Sequence, residues 1–232
     1  QDDAPGRRCV RRCGRRRHLT PVNTPTAILF FLAGLAAAID WWGVTKERVS
    51  VEFMSKPLVL IALTGAALSI DTDDGIVRGL VIAALGAALV GGVVLVTPDA
   101  RFGAGAFALM VAHVLYIGAF LETGSLDLGL EIMAGLLIVG IGLGAVPNIL
   151  AGAREHGPIT HGGVLVFAFL AGVMAALAAA TSEPTAALGG ALVLASDALL
   201  GWNRFVAPAP GGRALVHTTE HLGQMGLVLW LR

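Results

Sequence analysis

The chain has 232 residues, 56% of them hydrophobic and only 14% charged, with a mean hydropathy of +0.78. Soluble domains carry about 25% charged residues, so the composition excludes an ordinary soluble globular protein. The apolar residues also fall in blocks, as in a polytopic membrane protein. Sixteen Lys and Arg balance 16 Asp and Glu, and seven of the basic residues fall in "RRCVRRCGRRR" at 7–17. The rest is sparsely charged, and no nucleic-acid partner is expected.

Residues 1–25 read as a basic N-terminal tail, either disordered or a misassigned start. No small-residue cleavage site follows the basic run, so it does not look like a signal peptide. Cys9 and Cys13 are the only cysteines. They lack two further nearby ligands for zinc and read as free thiols. Residues 26–231 read as a single transmembrane domain.

Apolar blocks then run in order at 26–43, 57–70, 77–97, 102–121, 128–152, 163–181, 185–202 and 213–231. A span needs roughly 20 apolar residues, and most blocks meet that. The second is short unless it starts near Val51, with Lys56 snorkelling toward the headgroups. Pro147 should kink or end the fifth. The expected fold is all-α: a polytopic membrane bundle of about eight transmembrane helices, in a cell membrane. Trp41, Trp42, Trp202 and Trp230 stand at block edges, where indole favours the interface. "GAALVGG" at 86–92 places small residues at the spacing that packed membrane helices use.

Charge leaves the sidedness open. Lys46, Arg48, Lys56, Arg101, Arg154, Arg204 and Arg213 fall in the odd-numbered loops, while Asp71, Asp73, Asp74 and Glu122 lie on the other side with Arg78 and Arg232. The positive-inside rule would place the odd loops in the cytoplasm. The Arg-rich tail argues the opposite.

Polar residues inside the blocks carry the functional reading. In "GGALVLASDALLGWNRF" Asp197 sits well inside a span, at a cost of about 2.5–3.5 kcal/mol on insertion scales. It either glues helices together, with Ser196 as a candidate partner, or belongs to a site. In the last block His217, Glu220, His221 and Gln224 stand at relative positions 0, 3, 4 and 7, one face of a helix. That face must line a wet cavity or pair with neighbours such as Asp197; His217 and His221 also have metal-ligand spacing. His113 and Tyr116 share a face of the fourth block. Asp40 and Glu131 lie close enough to helix ends for solvation to be the default. Lys56 reads as an interface anchor or a contact for a lipid phosphate.

The runs "AAAIDWWGVTKERVSVEFMSKPLVLIAL", "FGAGAFALMVAHVLYIGAF", "GALVLASDALLGWNRF" and "TTEHLGQMGLVLWL" occur in that order over residues 26–231. Together they resemble the YhhN-type lysoplasmalogenases. The resemblance implies an integral-membrane hydrolase that cleaves the vinyl ether bond of lysoplasmalogens to a fatty aldehyde and a glycerophospho-head group. A buried carboxylic acid can protonate the alkenyl carbon, because desolvation disfavours its anion. A second carboxylate can stabilise the resulting cation and orient water. One departure stands out: Gly92 occupies the place where the family has Asp. Either the reaction is lost or reduced, or another acid serves, with Glu220 the preferred substitute.

On this reading the catalytic residues are Asp197, Glu220 and His221. Lys56, His113, Tyr116, Ser196 and Gln224 bind substrate, a lysophospholipid within membrane lipid. No cofactor is expected. Zinc enters only under an alternative, a metal-dependent lipid hydrolase with His217, His221, Asp197 and a contribution from His113. A further alternative is a non-catalytic lipid-binding or transport protein.

Overall fold

The computed structural model describes residues 23–72, 74–96, 101–124 and 126–232. Cys9, Cys13 and the basic run lie outside the described residues, as do Asp73 and the side chain of Glu131. Eight helices are present among the described residues: α1 (Thr24–Thr45), α2 (Val49–Ser69), α3 (Gly75–Val96), α4 (Phe102–Glu122), α5 (Leu128–Glu155), α6 (Pro158–Ala180), α7 (Pro184–Phe205) and α8 (Gly212–Leu229). Each matches one expected block within about five residues, except that α2 starts eight residues before the block at 57–70. Helix α1 begins earlier than expected, at Thr24, because the Asn23 side chain accepts a hydrogen bond from the Thr26 backbone N–H at 2.9 Å. Such a cap satisfies one of the orphan donors of the first turn.

Among the described residues, six helices are long and apolar enough to cross a membrane, and the two arms of α5, Leu128–Val139 and Gly142–Glu155, make a seventh if counted as one span. The arms meet at 52°. The bend therefore falls several residues before Pro147, and the helix runs on through Pro147 to Glu155. Gly142 and Gly144, just past the bend, carry no side chains that could pack to hold the axis straight. Helix α2 takes the longer of its two readings, starting at Val49 and carrying Pro57 inside.

Helix α8 is not among the six. It packs against α7, α1, α2 and α3, and its polar face is buried. A helix carrying Arg213, His217, Glu220, His221 and Gln224 cannot face lipid tails on that side, so the apolar helices enclose it. Small residues bring α7 and α8 together. A Cβ built on Gly223 would lie 2.9 Å from the Val193 nitrogen and 3.0 Å from the Gly189 oxygen, and one on Gly189 would lie 2.8 Å from the Leu227 nitrogen. These obstacles are backbone atoms and cannot rotate away. Gly223→Ala is therefore expected to destabilise the bundle by about 1–3 kcal/mol, as overpacking does. A thermal melt in detergent reads this, with Gly86→Ala as control, since nothing lies within 4 Å of a Cβ there. An unchanged melting temperature for Gly223→Ala would contradict the close crossing. In "GAALVGG" the last two glycines meet neighbours: a Cβ added at Gly91 would lie 3.0 Å from the Gly105 oxygen of α4, and one at Gly92 would lie 3.0 Å from the Lys56 side chain of α2.

The tryptophans divide. Trp42 is exposed, as an interface residue should be, but Trp230 is buried against Phe120 at a ring distance of 4.8 Å. Trp230 therefore belongs to the core, because the end of α8 lies inside the bundle.

Candidate functional site

One end of the bundle collects the polar side chains. The C-terminal parts of α1, α3 and α7 meet the N-terminal parts of α2, α4 and α8 there, at the side of the basic odd-numbered loops. Asp40, Glu52, Ser55, Lys56, His113, Ser196, His217, Glu220, His221 and Gln224 are all buried. Burying so many polar groups is tolerable only if they satisfy one another, and most of them do.

A cavity of about 180 Å³ opens among them. Lys56, His113, Asp197, Glu220 and Gln224 contribute its polar wall, and Leu95, Val96, Leu109 and Leu200 its apolar one. Asp197 Oδ2 lies 2.9 Å from His113 Nε2 of α4. His113 Nδ1 lies 2.6 Å from the Leu109 carbonyl oxygen. A carbonyl only accepts, so Nδ1 is the donor there. One proton is then left to be shared between Nε2 and the Asp197 carboxyl group. Whichever atom holds it, the pair is neutral overall, which suits a buried site.

In the same cavity Lys56 Nζ pairs with Glu220 Oε2 at 2.9 Å, both side chains nearly inaccessible. Lys56 therefore points into the bundle and does not anchor at the interface as its place before Pro57 implied. The backbone at Gly92 faces this pair: a Cβ there would lie 3.0 Å from Lys56 Cε and 3.9 Å from Glu220 Oε1. The Glu220 carboxylate thus stands beside the space that a longer side chain at position 92 would enter. Tyr116 Oη donates to Gln224 Oε1 at 2.5 Å. Ser196 Oγ donates to the Val216 carbonyl at 2.9 Å and ties α7 to α8. Ser196 is thus not the partner of Asp197; His113 is.

A second network adjoins the cavity and shares Glu52, Arg213 and His217 with its wall. His217 Nδ1 is 2.7 Å from Asp40 Oδ2, and its Nε2 is 3.3 Å from Glu52 Oε1. Ser55 Oγ donates to Asp40 Oδ1 at 2.9 Å. Arg213 Nη2 donates to Glu52 Oε2 at 2.5 Å, its guanidinium half exposed at the end of the bundle. His221 is turned into this network, not into the cavity, and neither of its ring nitrogens has a hydrogen-bond partner.

Asp197, Glu220, Lys56, His113, Tyr116, Ser196 and Gln224 thus share one cavity, while His221 stands apart. Asp197 and His221 are likewise in different networks, so the metal set anticipated from the sequence is not assembled. Asp40, for which solvation near a helix end is the expectation, is instead fully buried, and Glu52, which carries no such expectation, is buried with it. A signal for Glu52 was present: Glu52, Ser55, Lys56, Val59 and Leu63 repeat at helical spacing and form the buried face of α2.

The chain matches the family model of the YhhN family over residues 51–231. It matches no curated protein and no solved structure.

Proposed function

The chain belongs to the YhhN family, and from that premise we propose that this multi-pass membrane protein is a lipid hydrolase of the lysoplasmalogenase type. The observation that carries the reading is that Asp197 and Glu220, from different helices, line one cavity that also has an apolar wall. That is the combination an alkenyl ether needs: an acid, a second carboxylate and a dry slot for the chain.

The proton shared by His113 and Asp197 goes to the alkenyl carbon remote from the ether oxygen. The double bond supplies the electron pair, and an oxocarbenium ion forms at the adjacent carbon. Glu220, held by Lys56, lines the same cavity and stabilises that positive charge. Water adds to the cation and returns a proton to the site. The hemiacetal then collapses to a fatty aldehyde and the glycerol hydroxyl of the head group. Tyr116 and Gln224, fixed by each other, bound the slot. Lys56 is buried against Glu220, whereas Arg213, although it also pairs with Glu52, is half exposed at the open end of the bundle and can take the phosphate of the head group.

The test is aldehyde release from a 1-alkenyl lysophospholipid by the purified full chain in detergent or lipid. Turnover dependent on Asp197 supports the reading. Stoichiometric binding of the lipid with no aldehyde released would replace it with a lipid-binding function.

A further inference from the structure

We propose that Asp40, His217 and His221 form a binding site for a single divalent metal ion of the zinc class, at the edge of the reaction cavity, where His217 lines the wall and Asp40 and His221 lie beyond it. One oxygen or nitrogen from each of these residues lies within 4.8 Å of the others, and all three residues are buried. Asp40 Oδ2 is 2.7 Å from His217 Nδ1 and 3.9 Å from His221 Nδ1. Ligand atoms at zinc bond lengths of about 2.0–2.1 Å in a tetrahedron lie about 3.3 Å apart. The two separations bracket that value, so small side-chain shifts would complete the set.

The independent sign is His221. It is fully buried, yet both ring nitrogens lack a partner. Buried polar groups are normally satisfied, and an imidazole aimed at a carboxylate without reaching hydrogen-bond distance leaves room for an atom between them. Trp41 stacks on its ring at 6.3 Å and helps hold its orientation.

The surroundings are those of a metal site. Metal-bound histidines usually pass their other N–H to a carboxylate, and metal-bound carboxylates are themselves hydrogen-bonded. His217 Nε2 faces Glu52 Oε1 at 3.3 Å, and Glu52 is held in turn by Arg213. Ser55 occupies Asp40 Oδ1, which leaves Oδ2 for the ion. Two imidazoles and one carboxylate suit zinc better than the hard cations calcium or magnesium, which prefer oxygen. On binding, the ion replaces the proton between His217 Nδ1 and Asp40 Oδ2 and ties α1 to α8.

The experiment strips the full-length protein with a chelator, adds Zn²⁺ alone, desalts, and measures metal by elemental analysis together with the thermal melt. One equivalent per chain and a raised melting temperature are expected. His221→Gln and Asp40→Asn should each take up less than a tenth of an equivalent and show no zinc-dependent shift. His156→Ala, at an exposed histidine, should match the parent. Uptake below a tenth of an equivalent by the parent, or full uptake by both variants, overturns the site. Aldehyde release from the same samples is a separate readout, so failure of the metal site and failure of the hydrolase reading are distinguishable.

Discussion

Asp197→Asn is expected to slow aldehyde release from a 1-alkenyl lysophospholipid by about 10²–10⁴-fold, the usual contribution of a positioned general acid. Asn matches Asp in shape, and its amide can still donate to His113 Nε2, so the contact between α7 and α4 persists. What it cannot do is surrender a proton to carbon. The loss should therefore fall on kcat, with KM little changed, because the slot for the alkyl chain is made by other residues. His113 holds the proton in place through its own bond to Leu109. A variant that keeps more than a tenth of the parent rate would remove Asp197 from the acid role.

The second large effect concerns the carboxylate beside Lys56. Glu220→Gln leaves a lysine charge buried without its partner, and breaking a buried pair in this way costs about 3–5 kcal/mol. A steep fall in melting temperature and loss of aldehyde release are expected together. Gly92→Asp introduced into the Glu220→Gln background should restore much of both. Position 92 faces Lys56 directly, with 3.0 Å between Cε and the place a Cβ would take, and the flexible lysine chain can yield that space. Gly92→Asp in the parent should not help, because it sets a second anion beside Glu220 with one lysine between them. The double variant matching Glu220→Gln in stability and rate would show that the two positions do not exchange the role. On this account Glu220 of α8 supplies the carboxylate that an acid at position 92 of α3 would otherwise offer Lys56.

Helix number, approximate ends and membrane character were legible because hydrophobic blocks and their flanking caps are local properties of the chain. The polar face of α8 was legible too, since positions 0, 3, 4 and 7 must share one side of a helix. The identity of the partner across that face was not. Asp197 meets His113, 84 residues away in sequence, and Lys56 meets Glu220, because helices far apart in the chain are packed side by side. Periodicity says which way a residue points and is silent about what stands opposite.

Asp40 shows the same limit from the other direction. Its position near the end of α1 suggested water, yet α8 fills the centre of the bundle and covers it with His217 and His221. The sequence alone determined a family of membrane helices with acidic groups that lipid would not tolerate. Only the tertiary packing decided which of those groups are paired as acid and counter-ion around a cavity, and which are turned away behind it, since burial and charge pairing depend on distances between helices that no single stretch of chain encodes.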